Sequence, residues 1–141
     1  MTTRTALAFT LFVLVPQLTW AELPGIRLTV TGADPATGTI EATLFTSAET
    51  FLTEAHLQQS GEVAEDGTFS AEFAGLEEGE YAIVVVHDAN ENGVFDAGLF
   101  GFGGESVGYS NNASSWLGRP SFDDAKFTVE DSELEILINL D

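Results

Sequence analysis

Glu80-Tyr-Ala-Ile-Val-Val-Val-His-Asp88 is apolar without a break from Tyr81 to Val86, and Glu77-Glu-Gly79 before it and Asn92-Gly93 after it supply turn residues. So short a run rich in β-branched side chains reads as a strand buried on both faces. Successive side chains point to opposite sides, so Tyr81, Ile83 and Val85 share one face and Ala82, Val84 and Val86 the other. One face must meet an opposing sheet. The other needs a cover, and the stretch Ala97 to Phe122 offers one, with Phe100, Phe102, Tyr109, Trp116 and Phe122 set among glycines. A connection of that length in a compact domain is commonly functional or folded against the body. It is expected to pack down.

Outward from this strand the chain alternates with a period of two. Ile26, Leu28 and Val30 share a face in Ile26-Arg-Leu-Thr-Val-Thr31, and the pattern returns in 39–45, 68–73, 124–129 and 134–140. A seventh, short strand is expected at Gly61 to Ala64, because Glu65-Asp66-Gly67-Thr68 places Asp-Gly where a tight hairpin between Val63 and Phe69 needs it. Only Ala48 to Ser60 has room for a helical turn or two. The expectation is an all-β fold: a single antiparallel β-sandwich of Greek-key type with about seven strands and a long loop insertion, 97–122, between the last strands. The entry Leu76-Glu-Glu-Gly-Glu-Tyr81 is similar to that of strands in transthyretin-like and carboxypeptidase-regulatory-like sandwiches.

Residues 1–21 read as a separate segment. Arg4 is followed by the apolar run Ala6 to Val15, Pro16 ends it, and Thr19-Trp20-Ala21 has the small residues of a signal-peptidase site. That apolar run falls well short of the roughly 20 residues a spanning helix needs. The expected division is a signal peptide at 1–21 and one domain at 22–141, exported to the periplasm or secreted, with no transmembrane segment after cleavage.

The 141 residues include 23 Asp and Glu against 4 Lys and Arg, a formal net charge of −19. Such a surface repels phosphate backbones and anionic lipid, which excludes nucleic acid as a partner and favours cations. There is no cysteine, so thiol catalysis and cysteine-ligated zinc are excluded. Sites must be built from oxygen ligands, hydroxyls and two histidines.

One stretch arranges its oxygens with calcium spacing. His87-Asp88-Ala-Asn90-Glu-Asn92-Gly93-Val-Phe-Asp96 places Asp88, Asn90 and Asn92 at relative positions 1, 3 and 5 and glycine at 6. The Val94 backbone carbonyl falls at 7 and Asp96 at 9, as in loops that wrap a hard cation. Position 12 is Leu99 where a bidentate glutamate belongs, so either Asp96 coordinates directly or Glu105 folds back to complete the shell. The competing reading is an Asn-Gly turn whose side chains only cap backbone groups. His87, at a strand end, is expected to be packed or hydrogen-bonded, outside the metal shell. His56 has no evident role.

No catalytic pattern emerges. Gly108-Tyr-Ser110 is not a nucleophile elbow, Gly101-Phe-Gly-Gly104 lacks the setting of a phosphate cradle, and Asp123-Asp124 and Glu77-Glu78 read as solvated turns. Asn112-Ala-Ser114 has the form of an N-glycosylation acceptor.

Four blocks in order carry a family resemblance: Gly79 to Asp96, Phe100-Gly-Phe-Gly-Gly-Glu105, Gly108-Tyr-Ser-Asn-Asn-Ala113 and Arg119-Pro-Ser-Phe-Asp-Asp-Ala125. The sequence resembles the exported bacterial proteins of domain of unknown function family 2141. That resemblance implies a bacterial envelope or secreted location and a compact β-sandwich, and it supplies no function.

Together these readings describe a monomeric, non-enzymatic, exported binding or structural module holding calcium at 88–96. Phe100, Phe102, Tyr109 and Trp116 are the candidate recognition surface for envelope carbohydrate or protein. The alternatives are a small hydrolase or isomerase using Asp88, Glu105 or His87, and a metal-free structural protein.

Overall fold

The computed structural model describes residues 23–93, 105–116 and 118–140; the expected signal segment and part of the insert lie outside these. The order is β1 (Ile26–Thr31), β2 (Thr39–Phe45), β3 (Leu57–Glu62), β4 (Phe69–Phe73), β5 (Gly79–Asp88), β6 (Val107–Tyr109), a 3₁₀ turn at Ser110–Asn112, a single helical turn α1 (Phe122–Ala125), β7 (Phe127–Val129) and β8 (Leu134–Asn139). Two sheets form, one in the order β4-β1-β8 and one in the order β3-β2-β5-β6, with β7 also paired to β5. The fold is all-β and sandwich-like, as the alternation predicts.

Between the sheets lies the main core, with Ile26, Leu28 and Val30 of β1 facing Ile40, Leu44, Ile83 and Val85. A second, smaller cluster covers the outer face of the larger sheet, where Phe45, Ala82 and Val84 meet Phe122 and Ala125. Phe51, Leu52, Val107, Tyr109 and Ala113 pack against its margin. The two-sided burial read from β5 is therefore real, and Val107, Tyr109, Ala113 and Phe122 of the insert pack down on it, whereas Trp116, expected in the same cover, stays exposed. The segment after β2 shares that work through Phe51 and Leu52.

Several boundaries differ from the sequence expectation. β1 and β8 run parallel, Ile26 beside Leu134 and Thr31 beside Asn139, so the sandwich is not purely antiparallel. β3 occupies 57–62 rather than 61–64. It is a polar edge strand, Leu57-Gln-Gln-Ser-Gly-Glu62, exposed along nearly its whole length and held by backbone pairing to β2, so it carries no hydrophobic period to read. The Asp66-Gly67 turn closes as expected, with the Ala64 N–H donating to the Thr68 carbonyl at 2.9 Å. It joins the two sheets, however, since β3 and β4 belong to different ones.

The strand expected at 124–129 starts only at Phe127. Ser121 caps α1 in a capping box with Asp124, and that reciprocal pair gives the chain a helical turn first. The missed β6 is three residues long and includes Gly108, where a Cβ would lie 2.5 Å from Ile138 Cγ2. There the two sheets close on each other at the β8 side. Among the described residues no helix is long and apolar enough to cross a membrane.

Candidate metal loop and recognition surface

The register across the larger sheet sets the geometry of the site. Glu62 of β3 pairs with Thr39 of β2, and Thr39 pairs with Asp88 of β5. On the other side of β5, Val86 pairs with Val107, and the His87 N–H donates to the Ser106 carbonyl at 2.9 Å. One residue further along this ladder brings Glu105 opposite Asp88, and their carboxyl groups lie within hydrogen-bonding reach of each other. The end of the sheet thus reads Glu62, Thr39, Asp88, Glu105 from edge to edge. Glu41, Ser60 and Val86 form the next row, and with Gly93 these residues line one open cleft.

Asp88 also organises the loop that follows it. Its Oδ2 accepts the Gly93 N–H at 2.8 Å and its Oδ1 the Asn92 N–H at 3.3 Å, while Asn90 Oδ1 accepts the same Asn92 N–H at 3.0 Å. The chain turns through left-handed backbone at Glu91 and at Gly93, whose φ of 71° favours glycine. Hydrogen bonds hold the Asp88 carboxyl below its ordinary pKa, foremost that from the Gly93 N–H, then those from Asn92, Glu91 and the Glu105 side chain, against an opposing effect of desolvation.

Glu105 therefore folds back beside Asp88, as one of the two sequence alternatives requires, and its Oε1 is shielded from solvent. Val94 and Asp96 lie outside the described residues, as do Phe100 and Phe102. Among the described residues no group of three or more His, Asp and Glu is gathered as around a metal ion. The described donors are two carboxyl groups and the amide oxygens of Asn90 and Asn92.

His87 is buried, with Nε2 2.8 Å from the Thr37 carbonyl, which matches the expected packed histidine. Tyr109 sits half-buried on the outer face of the sheet. Desolvation raises its hydroxyl pKa, and the positive charge of Arg119 partly offsets this. Trp116 is 91% exposed.

Sequence reasoning missed one densely hydrogen-bonded group. Ser110 is fully buried; its Oγ donates to the Ala125 carbonyl at 2.6 Å and accepts the Ile83 N–H at 2.9 Å. Asn111 Nδ2 donates to the Lys126 carbonyl at 2.8 Å, and Asn112 Oδ1 accepts the Asn139 N–H at 2.9 Å. Three consecutive side chains thus tie β5, α1 and β8 together and fix β6, which carries Glu105 to Asp88. The signal was present as Ser-Asn-Asn directly after an apolar strand pattern, since such side chains readily bond backbone groups. The Asn112 amide of the acceptor pattern is engaged in this way.

A family of uncharacterised proteins conserved in bacteria, DUF2141, matches residues 28–137. The chain belongs to that family. In this DUF2141 member the matched range takes in the paired ends of β5 and β6, Asp88 and Glu105 included, and Trp116. No protein of curated function matches the chain significantly.

Proposed function

We propose that this DUF2141 protein is an exported, non-enzymatic β-sandwich binding module whose 88–96 loop is ordered by calcium. The ligands are Asp88, Asn90, Asn92, the Val94 carbonyl and Asp96, with Glu105 completing the shell. The observation that carries this reading is the placement of Glu105 directly across from Asp88. Like charges opposite each other on neighbouring strands are destabilising, and withdrawing a carboxylate oxygen from water adds to the cost. Two carboxyl groups in contact need a shared proton or a cation between them, and the oxygen spacing of the loop suits a hard cation. A turn that only caps its own backbone has no use for the second carboxyl group.

The ordered loop holds the chain on either side of the insert, and the aromatic surface of Phe100, Phe102, Tyr109 and Trp116 is the recognition element for envelope carbohydrate or protein. Export rests on the pattern of residues 1–21. His87 turns its Nε2 to the Thr37 carbonyl, in keeping with a packed histidine outside the metal shell.

Calorimetric titration with calcium tests the loop. The parent protein is expected to bind one ion, Asp88→Ala none, and Glu105→Gln about tenfold more weakly. Equal binding by all three proteins, or none by the parent, refutes the calcium assignment.

A further inference from the structure

Asparagine stands at 90, 92, 111, 112 and 139, and Asn92 alone is followed by glycine. A backbone nitrogen can attack the side-chain amide carbon of the residue before it, closing a five-membered succinimide ring, and a side chain on the attacking residue crowds that approach. Glu91, Asn112, Ala113 and Leu140 crowd it after the other asparagines. At Asn92 there is room for the ring. Asn92 and Gly93 are both exposed, Gly93 has left-handed backbone at φ 71°, and a Cβ built on it would meet nothing within 4 Å. Asp66-Gly67 is the opposite case. A Cβ on Gly67 would lie 2.5 Å from the Ala33 carbonyl oxygen, and the Gly67 N–H is donated to the Ala64 carbonyl at 3.0 Å. The Thr68 hydroxyl and N–H hold the Asp66 carboxyl in its ionised form, which resists attack.

One contact opposes the attack. The Gly93 N–H is donated to Asp88 Oδ2 at 2.8 Å, and the Asn92 N–H to Asp88 Oδ1 at 3.3 Å. The attacking nitrogen must lose the very proton that Asp88 holds, and the negative charge it would then carry is repelled by the carboxylate beside it. A hydrogen bond to an ionised acceptor is also among the stronger ones to open.

We propose that Asn92-Gly93 is a site of spontaneous deamidation and that the Asp88 carboxylate is the latch that restrains it. In the reaction the Gly93 nitrogen gives up its proton and bonds to Asn92 Cγ, the Cγ–Nδ2 bond breaks, and Nδ2 leaves as ammonia with the displaced proton. Water then opens the ring, and nothing is oxidised or reduced. Cleavage of the new nitrogen–Cγ bond leaves aspartate at 92. Cleavage between the nitrogen and the Asn92 backbone carbonyl carbon leaves isoaspartate, with the side-chain methylene drawn into the main chain. Either product adds a negative charge next to Gly93, in a cleft that Asp88 and Glu105 already line. The modification goes beyond the binding role proposed above and needs no calcium.

Incubation of the full chain at mildly alkaline pH in chelator, followed by digestion and peptide mass mapping, is the test. Deamidation is expected at Asn92 ahead of the other asparagines, with aspartate and isoaspartate peptides both formed, and about tenfold faster in Asp88→Ala. Phe122→Ala opens the apolar cluster on the outer face of the larger sheet and so separates a local latch from general loosening of the fold. It is expected to keep the parent rate. Equal rates in the parent and Asp88→Ala, an equal acceleration in Phe122→Ala, or earlier modification of another asparagine overturns the proposal. Repeating the parent incubation in calcium keeps this proposal distinct from the calcium reading. A latch seen in chelator, with a parent rate that ignores calcium, supports the deamidation site and counts against the calcium loop; slowing by calcium, with equal rates of parent and Asp88→Ala in chelator, does the reverse.

Discussion

The outer face of the larger sheet has two halves built on opposite terms. In one, Phe45, Ala82 and Val84 are sealed beneath Phe122 and Ala125, with Phe51 edge-to-face against both Phe45 and Phe122 at ring separations of 5.3 and 5.8 Å. In the other, Glu62, Thr39, Asp88 and Glu105 cross the end of the same strands and line an open cleft. β5 records the boundary. Tyr81 to Val85 are all buried, and from Val86 onward burial alternates. The covered half gains by removing apolar surface from water, while the open half sets two carboxyl groups side by side, with backbone N–H groups of the loop holding the charge of Asp88. Stability and site are thus separated along single strands, and substitutions in the two halves should differ in kind.

The largest effect is expected from Phe122→Ala, which removes the lid of the covered half and leaves a cavity beside Phe51 and Val84. A loss of about 3 kcal/mol in urea unfolding is expected, the same with and without calcium. Ser110→Ala should follow with a loss of about 2 kcal/mol, because the Ile83 N–H and the Ala125 carbonyl are left without the hydroxyl that satisfies both. A calcium-dependent loss in Phe122→Ala would show that the halves are coupled through β5 and break the contrast.

In the open half the sign should reverse. Glu105→Gln removes one of two facing carboxylates and is expected to leave melting in chelator unchanged or slightly raised, whereas calcium raises the melting temperature of the parent more than that of the variant. Combined with Phe122→Ala its effect should add, since the two side chains share no partner; a departure beyond about 0.5 kcal/mol would measure coupling between the halves.

What was legible in the sequence follows the same division. The period-two runs of β1 and β2 and the unbroken apolar run of β5 declared themselves because one or both faces enter a core. So did the need for a cover over Ala82 and Val84. β3 was legible only as a short strand placed too late in the chain, because it buries almost nothing, and β6 was not legible, being a three-residue strand defined by its pairing to β5. The Asp88 loop was visible from oxygen spacing, and Glu105 entered only as an alternative because its position depends on a register that spacing does not contain. Ser110 looked like a failed nucleophile, and its role becomes visible only once the Ile83 N–H and the Ala125 carbonyl are known to converge on it.

The smallest expected effect lies in acid, and it bears on the lid. Hydrogen bonds from the Ser121 side chain and backbone N–H hold the Asp124 carboxyl below its ordinary value of 3.8. The Thr68 hydroxyl and N–H do the same for Asp66 in the turn that joins the sheets. In each case the ionised form is the bonded one, so the native state takes up a proton less readily than the unfolded chain. The contribution of each group is complete well above 3.8 and is lost as pH falls through that value toward the lower native one. Urea unfolding from pH 6 to pH 3 should therefore show falling stability, and Asp124→Asn should flatten the acid limb while leaving its calcium response untouched. Because Asp124 caps the turn that carries Phe122, a change in calcium response in that variant would mean that the lid and the acidic row act as one unit. An unchanged calcium response with a flatter limb would place the capped turn wholly with the covered half.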